Sequence, residues 1–305
     1  MSEITSTVSV RAAADAGRDA GGATTARTDE ADAPARPSDV AVVVPVRNAE
    51  AMLPACLDSI MRQGPAELIV VDGLSTDRTV EIARSFGARI LSDEGRGLPA
   101  ARSIGARAAS RRLVVLVDSD VILPDGSLEA LLREFDQGGY TALQAGLESE
   151  SGPGYWGQAL AEHHRTGLSR HWFGLVATVF DRDALLSHGF DAAFESGEDI
   201  ELRWRLSRAG VKAGVSRTTI VRHRFDDTWA FARGQFRADG RGLARMIRKH
   251  RLGGVRLLLL PAAAGARGLV LSLVRRQPRW IPYYVAFSGL NYAAMIGELL
   301  RRRGN

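Results

Sequence analysis

The stretch LVVLVDSDVILPDG, residues 113–126, places two aspartates, Asp118 and Asp120, directly after five apolar residues. The apolar run is typical of a buried strand. The two carboxylates repel each other, and burial favours neither of them unless a cation or a hydrogen-bond donor lies between them. Two interpretations follow: a strand end where Asp-Ser-Asp begins a polar turn, or a site for a divalent metal ion.

Strands and helices alternate around this stretch. Apolar runs over 41–46 and 67–72, and a weaker run over 88–93, are each followed by a helical pattern, and another helix is predicted after 113–126. Such alternation predicts an α/β fold with a parallel sheet that helices cover on both faces. Ligands of these sheets bind beyond the carboxyl ends of the strands. Both Asp72 and Asp118 are at such ends.

The composition is that of a globular protein. The chain has 305 residues, of which 45% are hydrophobic and 25% charged, enough for one large or two small domains. The single cysteine, Cys56, allows no internal disulfide and indicates a reducing compartment. Residues 1–17 lack the apolar core of a secretory signal, so none is expected.

The net charge of +5 is unevenly distributed. Residues 241–305 carry thirteen Arg and Lys residues against one acid, whereas the rest of the chain has a net charge of −7. The tail is also apolar, over 252–274 with interruptions and over 280–297 without a charged residue. Basic flanks with Trp and Tyr predict interfacial helices on an anionic membrane surface. A single span and a buried pair of core helices are the alternatives, and such apolar stretches do not suit a nucleic-acid partner.

Three regions are therefore expected. Residues 1–38 have few large apolar side chains, which bury too little surface to offset the entropy of ordering, so this segment is predicted to be disordered. Residues 39–240 form the α/β domain. Residues 241–305 form the basic, apolar helices that associate with the membrane.

Four motifs occur in order along the α/β domain. They are VVVPVRNAEAMLPACLDSI (42–60), LIVVDGLSTDRTVEIA (68–83), VVLVDSD (114–120) and FDAAFESGEDIELRWRLSRAG (190–210). With these motifs, the chain resembles a family 2 glycosyltransferase over roughly residues 40–241. The resemblance implies the GT-A fold, a Rossmann-like, mixed but mostly parallel sheet, here followed by C-terminal amphipathic or apolar helices.

The resemblance gives the aspartate pair a function. Asp118 and Asp120 match the DxD motif of the family, which implies a Mg²⁺ or Mn²⁺ ion that bridges the two phosphates of the donor. Hard oxygen ligands suit these ions, and the dication would remove the repulsion between the carboxylates. His223 is assigned to the same metal or to the diphosphate, with a histidine satisfied at a strand end as the alternative.

Other residues are assigned to the donor. The matching aspartate of the family contacts the nucleoside, which implies that role for Asp72, with capping of the next helix as the alternative. Pro45 is expected to stop the ladder at the end of the first strand and open a nucleobase-binding loop, with Arg47 and Glu50 beside it. Arg102 is also assigned to the donor, although Ser103 replaces the asparagine that usually follows it in the family. Gly73 similarly replaces a second aspartate.

The catalytic base is assigned to the Glu-Asp pair. In the family the aspartate of this pair removes the proton from the acceptor hydroxyl, which implies that role for Asp199 and inversion of configuration. Glu198 is expected to bind and orient the acceptor. The alternative is the preference of acids for the first turn of a helix. Gly240 and Gly242 are expected to be hinges of a mobile loop over the donor.

The predicted protein is an inverting glycosyltransferase at the cytoplasmic face of the membrane. Its partners would be a nucleoside-diphosphate sugar and a glycan or lipid-linked acceptor. One alternative is a sugar nucleotidyltransferase, which needs a Gly-rich basic loop where PVRNAEAML stands. Another is a non-catalytic membrane-associated scaffold with a degenerate transferase domain, and the complete set Asp72, Asp118, Asp120 and Asp199 argues against it.

Overall fold

A computed structural model describes residues 34–167, 173–194, 196–251 and 255–301. Most of the segment predicted to be disordered, up to residue 33, lies outside these residues. Just before the first strand, the backbone N–H of Ala35 donates to the carboxylate of Asp136 at 2.6 Å. A 3-10 turn, Pro37–Asp39, then leads into the sheet.

Strands and helices follow the predicted alternation in the first half of the chain. The strands are β1 Val40–Val46, β2 Glu67–Asp72, β3 Arg89–Ser92, β4 Leu113–Val117, β5 Val121–Ile122, β6 Ala142–Ser151, β7 Ala177–Asp181 and β8 Ala213–Phe225. The helices are α1 Leu53–Met61, α2 Thr79–Ser85, α3 Leu98–Ala108, α4 Ser127–Gln137, α5 Tyr155–Thr166, α6 Arg182–His188, α7 Glu198–Arg208, α8 Trp229–His250, α9 Leu260–Val274 and α10 Ile281–Leu300.

One sheet carries all eight strands in the order β3-β2-β1-β4-β7-β6-β8-β5. Strands β1 to β4 are parallel to one another. Strand β7 is antiparallel to β4 and to β6, β8 is parallel to β6, and β5 pairs antiparallel with β8. The predicted mixed, mostly parallel α/β sheet is confirmed.

The core lies on both faces of the sheet because successive strand residues point to opposite sides. In β1, Val42 and Val44 belong to the cluster that α1 and α4 cover, whereas Ala41 and Val43 belong to the cluster that α3 and α7 cover. Helix α3 lies close to the sheet, because a Cβ at Gly105 would come within 2.2 Å of a Val43 methyl. Helices thus cover both faces, as predicted.

Pro45 does not stop the ladder between β1 and β2, so that prediction is wrong, whereas the predicted end of the strand at residue 46 is confirmed. Strand β1 continues to Val46, and Pro45 is buried and pairs with Val71 of β2. Pairing with β4, on the other side, extends only to Val43. Proline has no N–H to donate to a ladder, and Pro45 lies where the ladder with β4 has already ended.

Helix α8 contains the two glycines that were expected to be hinges, and this expectation is also wrong. Gly240 and Gly242 are buried inside one unbroken helix. A Cβ at Gly240 would come within 2.2 Å of the Asn291 carbonyl of α10, and one at Gly242 within 2.9 Å of the Ser196 carbonyl. Both glycines therefore allow close packing. The helix also crosses the expected domain boundary after residue 240.

Helices α9 and α10 are the C-terminal apolar helices that the sequence predicts. Helix α10 buries Tyr283, Met295 and Glu298 against the rest of the protein, and Arg245 of α8 donates to Glu298 at 3.3 Å. Within the described residues, the helical segment long and apolar enough to cross a membrane is Arg256–Val274, with a mean hydropathy of 1.9 and 22% of the window buried. The span considered in the sequence lay instead over 280–297.

Candidate active site

The loops after β1 and β2 brace each other at the carboxyl edge of the sheet. The N–H of Thr76 donates to the side-chain oxygen of Asn48 at 2.8 Å, and the N–H of Arg78 donates to the carboxylate of Glu50 at 3.0 Å. The N–H of Glu50 in turn donates to Asp77 at 3.1 Å. The structure thus places Glu50, which was assigned to the donor, in a contact that holds the two loops together. The side chain of Arg47 is exposed beside them.

Asp72 is the last residue of β2 and is 9% exposed. Both of its carboxylate oxygens accept from the N–H of Ser75, at 3.3 and 3.2 Å, and close a tight turn. Helix α2 begins only at Thr79, so Asp72 shapes the turn and does not cap the helix. A carboxylate has about four lone-pair sites, which leaves Asp72 able to accept from a ligand.

Asp93 organises the loop after β3, and the sequence analysis missed it. Its buried carboxylate accepts from the N–H of Gly95 at 2.8 Å and from that of Gly97 at 2.9 Å. Both glycines have positive φ, 75° and 88°, which glycine adopts without steric cost. Gly97 is also the residue before α3. The signal in the sequence was an aspartate followed by two glycines in SDEGRG.

Arg102 joins two parts of the site. It is 1% exposed, and its Nη2 donates to Oδ1 of Asp118 at 2.7 Å while its Nη1 donates to Oε1 of Glu198 at 2.6 Å. Burial lowers the pKa of Arg102, but the charges of Asp118 and Glu198 outweigh it and raise the pKa overall. This guanidinium therefore stays charged and links the end of β4 to the start of α7.

The segment Asp118-Ser119-Asp120 forms a turn between β4 and β5. The N–H of Val121 donates to the carbonyl of Asp118 at 3.1 Å, and the buried thiol of Cys56 donates to the same carbonyl at 3.5 Å. Burial raises the pKa of the Asp118 carboxyl, Arg102 opposes this, and the negative charge of Asp120 raises the pKa further. The repulsion expected from the sequence is therefore present.

His223 reaches Asp120 because β5 and β8 pair, with Val121 opposite His223. Nε2 of His223 lies 3.3 Å from Oδ2 of Asp120. Burial lowers the pKa of His223, but the hydrogen bond to Asp120 and the charges of Asp120 and Asp118 raise it overall. In the part of the chain that the structure describes, Oδ1 of Asp120 is buried without a hydrogen-bond partner, which is a costly state for a carboxylate oxygen.

The aspartate pair could hold a metal ion only if a bound molecule supplied further metal-ligating atoms. Across 34–167, 173–194, 196–251 and 255–301, no group of three or more His, Cys, Asp or Glu side chains could hold a metal. Oδ1 of Asp118 is taken by Arg102, whereas Oδ1 of Asp120 needs a partner. Mg²⁺ is commonly held by one or two carboxylates with phosphates and water. The aspartate pair suits a Mg²⁺ or Mn²⁺ ion of that kind.

A further carboxylate, that of Asp239, lies near Asp199 at the start of α7. Gly197, with φ 82°, precedes Glu198 and Asp199, and a Cβ on it would lie 3.1 Å from Cα of Gly242. Helix α8 therefore passes directly beside the start of α7. One turn before Gly242, Asp239 accepts from Gln235 at 3.0 Å, and burial together with the charge of Asp199 raises the pKa of Asp239 to about 7.

Asp239 was missed in the sequence because it lies far from the four motifs. Its only local signal is Gln235 one turn earlier on the same helix, in QFRAD. The structure thus places the predicted residues in three groups. Asp118, Glu198 and Arg102 are in contact, Asp120 pairs with His223, and Asp72, Arg47 and Glu50 line the loops after β1 and β2.

Comparison with known proteins identifies the family. The sequence profile of Glycosyl transferase family 2 matches residues 41–192. The chain belongs to glycosyl transferase family 2. This confirms the predicted enzyme class, and the family segment contains the Asp72 turn, Arg102 and the aspartate pair.

Individual relatives resemble this glycosyltransferase over different lengths. A PGL/p-HBAD biosynthesis glycosyltransferase of Mycobacterium tuberculosis is 36% identical over 102 residues, which cover 31% of this chain and 40% of that protein. The match thus spans less than half of the mycobacterial relative. The succinoglycan biosynthesis protein ExoA of Rhizobium meliloti is 25% identical over 257 residues, covering 76% of this chain and 78% of that protein.

A solved structure shares the fold of this glycosyltransferase. Mannosyltransferase PcManGT from Pyrobaculum calidifontis, in complex with GDP-Man and Mn²⁺, has a TM-score of 0.61 and 19% identity, over 87% of this chain and 88% of that chain. The likeness confirms the predicted GT-A fold.

Proposed function

We propose that this glycosyltransferase transfers a sugar, with inversion, from a nucleoside-diphosphate sugar to a hydroxyl acceptor. The observation that carries the proposal is the position of Arg102. It holds Asp118 of the aspartate pair and Glu198, the neighbour of Asp199, on one guanidinium at 2.7 and 2.6 Å. The residues that would bind the departing diphosphate and the residue that would activate the acceptor are therefore fixed relative to each other.

The nucleoside would bind at the loops after β1 and β2. Asp72 keeps lone pairs for an N–H of the base after bonding to Ser75. Arg47 is exposed in the neighbouring loop, and guanidinium groups stack on planar rings. Pro45 is buried in β1, two residues before Arg47. The complex of PcManGT with GDP-Man supports a donor of this chemical class.

The diphosphate would bind beside Asp118, Asp120 and His223. If the diphosphate binds there with Mg²⁺ or Mn²⁺, the ion would neutralise charge that develops on the leaving diphosphate. Oδ1 of Asp120 would gain the partner that it lacks among the described residues. His223 holds Oδ2 of the same carboxylate at 3.3 Å and so orients it. The Mn²⁺ in the PcManGT complex supports such a site.

Asp199 would be the base. As the acceptor oxygen attacks the anomeric carbon, its proton passes to Asp199, and the bond from that carbon to the diphosphate oxygen breaks on the opposite face. Asp199 lies in the first turn of α7, where the helix dipole favours a negative charge. Glu198 is 7% exposed and bonded to Arg102, which makes it a support for this turn more than a contact for the acceptor.

The acceptor would be a glycan or a lipid-linked glycan at a membrane surface. The exposed face of α10 is apolar along the whole helix, with Pro282, Val285, Gly289, Ala293, Ile296 and Leu300. Arg275, Arg276 and Arg279, between α9 and α10, are exposed. An apolar face with basic residues beside it suits an anionic lipid surface.

The cytoplasmic face of that membrane is the proposed location. Cys56 is buried and not in a disulfide, which suits a reducing compartment. The relatives named for PGL/p-HBAD and succinoglycan biosynthesis support a biosynthetic role for the transfer.

Thermal shift with nucleoside diphosphates and Mn²⁺, Mg²⁺ or EDTA tests the donor site. A ligand at a hundredfold excess over its Kd stabilises the folded state by about 2.7 kcal/mol. We expect a shift that needs the metal, that Asp120→Asn removes and that Asp183→Asn, a change at an 89% exposed carboxylate, preserves. Asp199→Asn should keep this shift and lower turnover by about 10²-fold or more. Full turnover in Asp199→Asn would contradict the proposed base.

A further inference from the structure

Leu74 has a backbone conformation and an environment that do not favour leucine. Its φ is 63°, in the left-handed region, and its side chain is 57% exposed. A side chain with a Cβ is strained in this region, whereas glycine is not. Exposure of an apolar side chain adds nothing to folding. Both observations indicate that glycine would make the folded state more stable here, so folding does not explain the leucine.

The turn around Leu74 is anchored on both sides. The N–H of Gly73 donates to the Val46 carbonyl at 2.8 Å, and the N–H of Ser75 donates to the carboxylate of Asp72. The N–H of Asp93, directly after β3, donates to the Asp72 carbonyl at 3.0 Å. These bonds fix the backbone before and after Leu74, and its side chain is held at the surface in one place.

That place lies between two loops of the candidate site. A Cβ at Gly95, in the loop after β3, would lie 3.1 Å from Cδ1 of Leu74, so the leucine side chain lies against this loop. On the other side, a Cβ at Gly73 would lie 3.4 Å from Cβ of Arg47. The exposed leucine and the exposed arginine therefore flank the turn that Asp72 closes.

A flat heteroaromatic ring matches this arrangement. A carboxylate accepts from an N–H at the edge of such a ring, a guanidinium stacks on one face, and an apolar side chain packs on a face. Residues held in sparsely populated backbone conformations concentrate at ligand sites, where the surrounding structure keeps them in place. Leu74 has both the fixed conformation and the apolar surface.

We propose that Leu74 is a specificity-determining residue of the donor site, whose side chain packs against the nucleobase. The inference rests on the proposed function, because it needs a nucleoside diphosphate as ligand. It goes further by separating affinity for the base, which depends on Leu74, from affinity for the diphosphate, which depends on the aspartate pair.

The test compares nucleoside diphosphates with inorganic pyrophosphate, both with Mn²⁺, by calorimetric titration of the full chain. In Leu74→Gly we expect an equal or higher Tm and a Kd for the nucleoside diphosphate raised about tenfold, the range of base-stacking substitutions. The Kd for pyrophosphate, which has no base, should stay unchanged. Leu74→Ala should lose the same affinity without the gain in Tm, and Leu74→Met should retain it.

Arg251→Gly is the matched control. Arg251 also has a positive φ, 48°, but lies at the C-terminal end of α8, so this change should leave both affinities unchanged. Wild-type affinity of Leu74→Gly for the nucleoside diphosphate would overturn the inference and leave the proposed function intact. Equal losses for nucleotide and pyrophosphate would also overturn it. A wild-type protein that binds no nucleotide with any metal would overturn the proposed function itself.

Discussion

Arg102 donates to Asp118 at 2.7 Å from a position that is 1% exposed. Its other terminal nitrogen holds Glu198, so one buried cation compensates two carboxylates from different elements. Loss of one partner from a buried ion pair leaves an uncompensated charge, which costs more than the pair itself contributes. The residues nearest to the proposed reaction therefore depend on a side chain that no ligand needs to touch.

Arg102→Met should lower the free energy of unfolding by about 3–5 kcal/mol, because both carboxylates lose their partner inside the protein. Arg102→Lys should lower it less, since one ammonium keeps the charge but cannot reach both carboxylates in the same way. Urea denaturation measures both. Arg62→Lys, at a half-exposed arginine that pairs with Asp58, should change stability by less than about 1 kcal/mol. Equal midpoints for Arg102→Met and wild type would refute the bridging role.

Asp239→Asn should stabilise the protein at pH 8 and make little difference at pH 4. The folded state keeps the proton of Asp239 up to about pH 7, whereas the unfolded chain releases it near the ordinary value of 3.8. Stability therefore falls as pH rises between these values. Asparagine does not titrate, so the variant does not lose this stability. The gain at pH 8 should be about 1–2 kcal/mol, below the full shift because the side chain is partly exposed.

Thermal melts of both proteins from pH 4 to pH 8 measure this difference. A gain of the same size at both ends of the range would show that ionisation of Asp239 is not its cause.

Gly240→Ala and Gly234→Ala should have opposite effects on the same helix. A Cβ at Gly240 would meet the Asn291 carbonyl at 2.2 Å, whereas a Cβ at Gly234 meets no described atom within 4 Å. Overpacking against backbone costs about 1–3 kcal/mol, and an alanine in an open helix position adds about 0.5–1 kcal/mol. Chemical denaturation measures the change in the free energy of unfolding of each variant. A stabilised Gly240→Ala would mean that α10 is not packed on α8 in this way.

Val285→Asp together with Ile296→Asp should reduce binding to vesicles that contain anionic lipid. Both side chains are more than half exposed on α10, and a charge on this face opposes insertion into the headgroup layer. Co-flotation with vesicles, with and without phosphatidylglycerol, measures binding. Met61→Asp, on the exposed side of α1, is the matched control. Undiminished flotation of the double variant would contradict a role of this face in membrane binding.

Periodicity predicted the part of the fold that local sequence controls. The apolar runs became β1, β2 and β4, because strands buried on both faces need continuous apolar sequence. The rule that ligands bind at the carboxyl ends of such strands then placed Asp72 and Asp118 at one edge, where the structure has them.

The remaining features depend on contacts between distant parts of the chain. His223 reaches Asp120 only because β8 pairs with the two-residue strand β5, and such a short strand has no periodic signal. Asp239 lies near Asp199 only because α7 and α8 meet at two glycines. Gly240 and Gly242 look like hinges in the sequence, since sequence alone does not distinguish a flexible position from a crowded one. The prediction for Pro45 failed for a similar reason, because the ladder on that side of β1 ends where its pairing with β4 ends.

The unbroken course of α8 has a practical consequence for protein production. Its buried Phe236 lies edge-on to Tyr283 and Phe287 of α10, with ring centroids 5.3 and 5.4 Å apart. A shortened enzyme that stops near residue 240 would divide this helix and uncover the aromatic side chains, so aggregation is the expected result. Residues 241–305 therefore cannot be removed without disturbing the rest of the fold. Expression and purification should keep the full chain and supply detergent or lipid for its apolar faces.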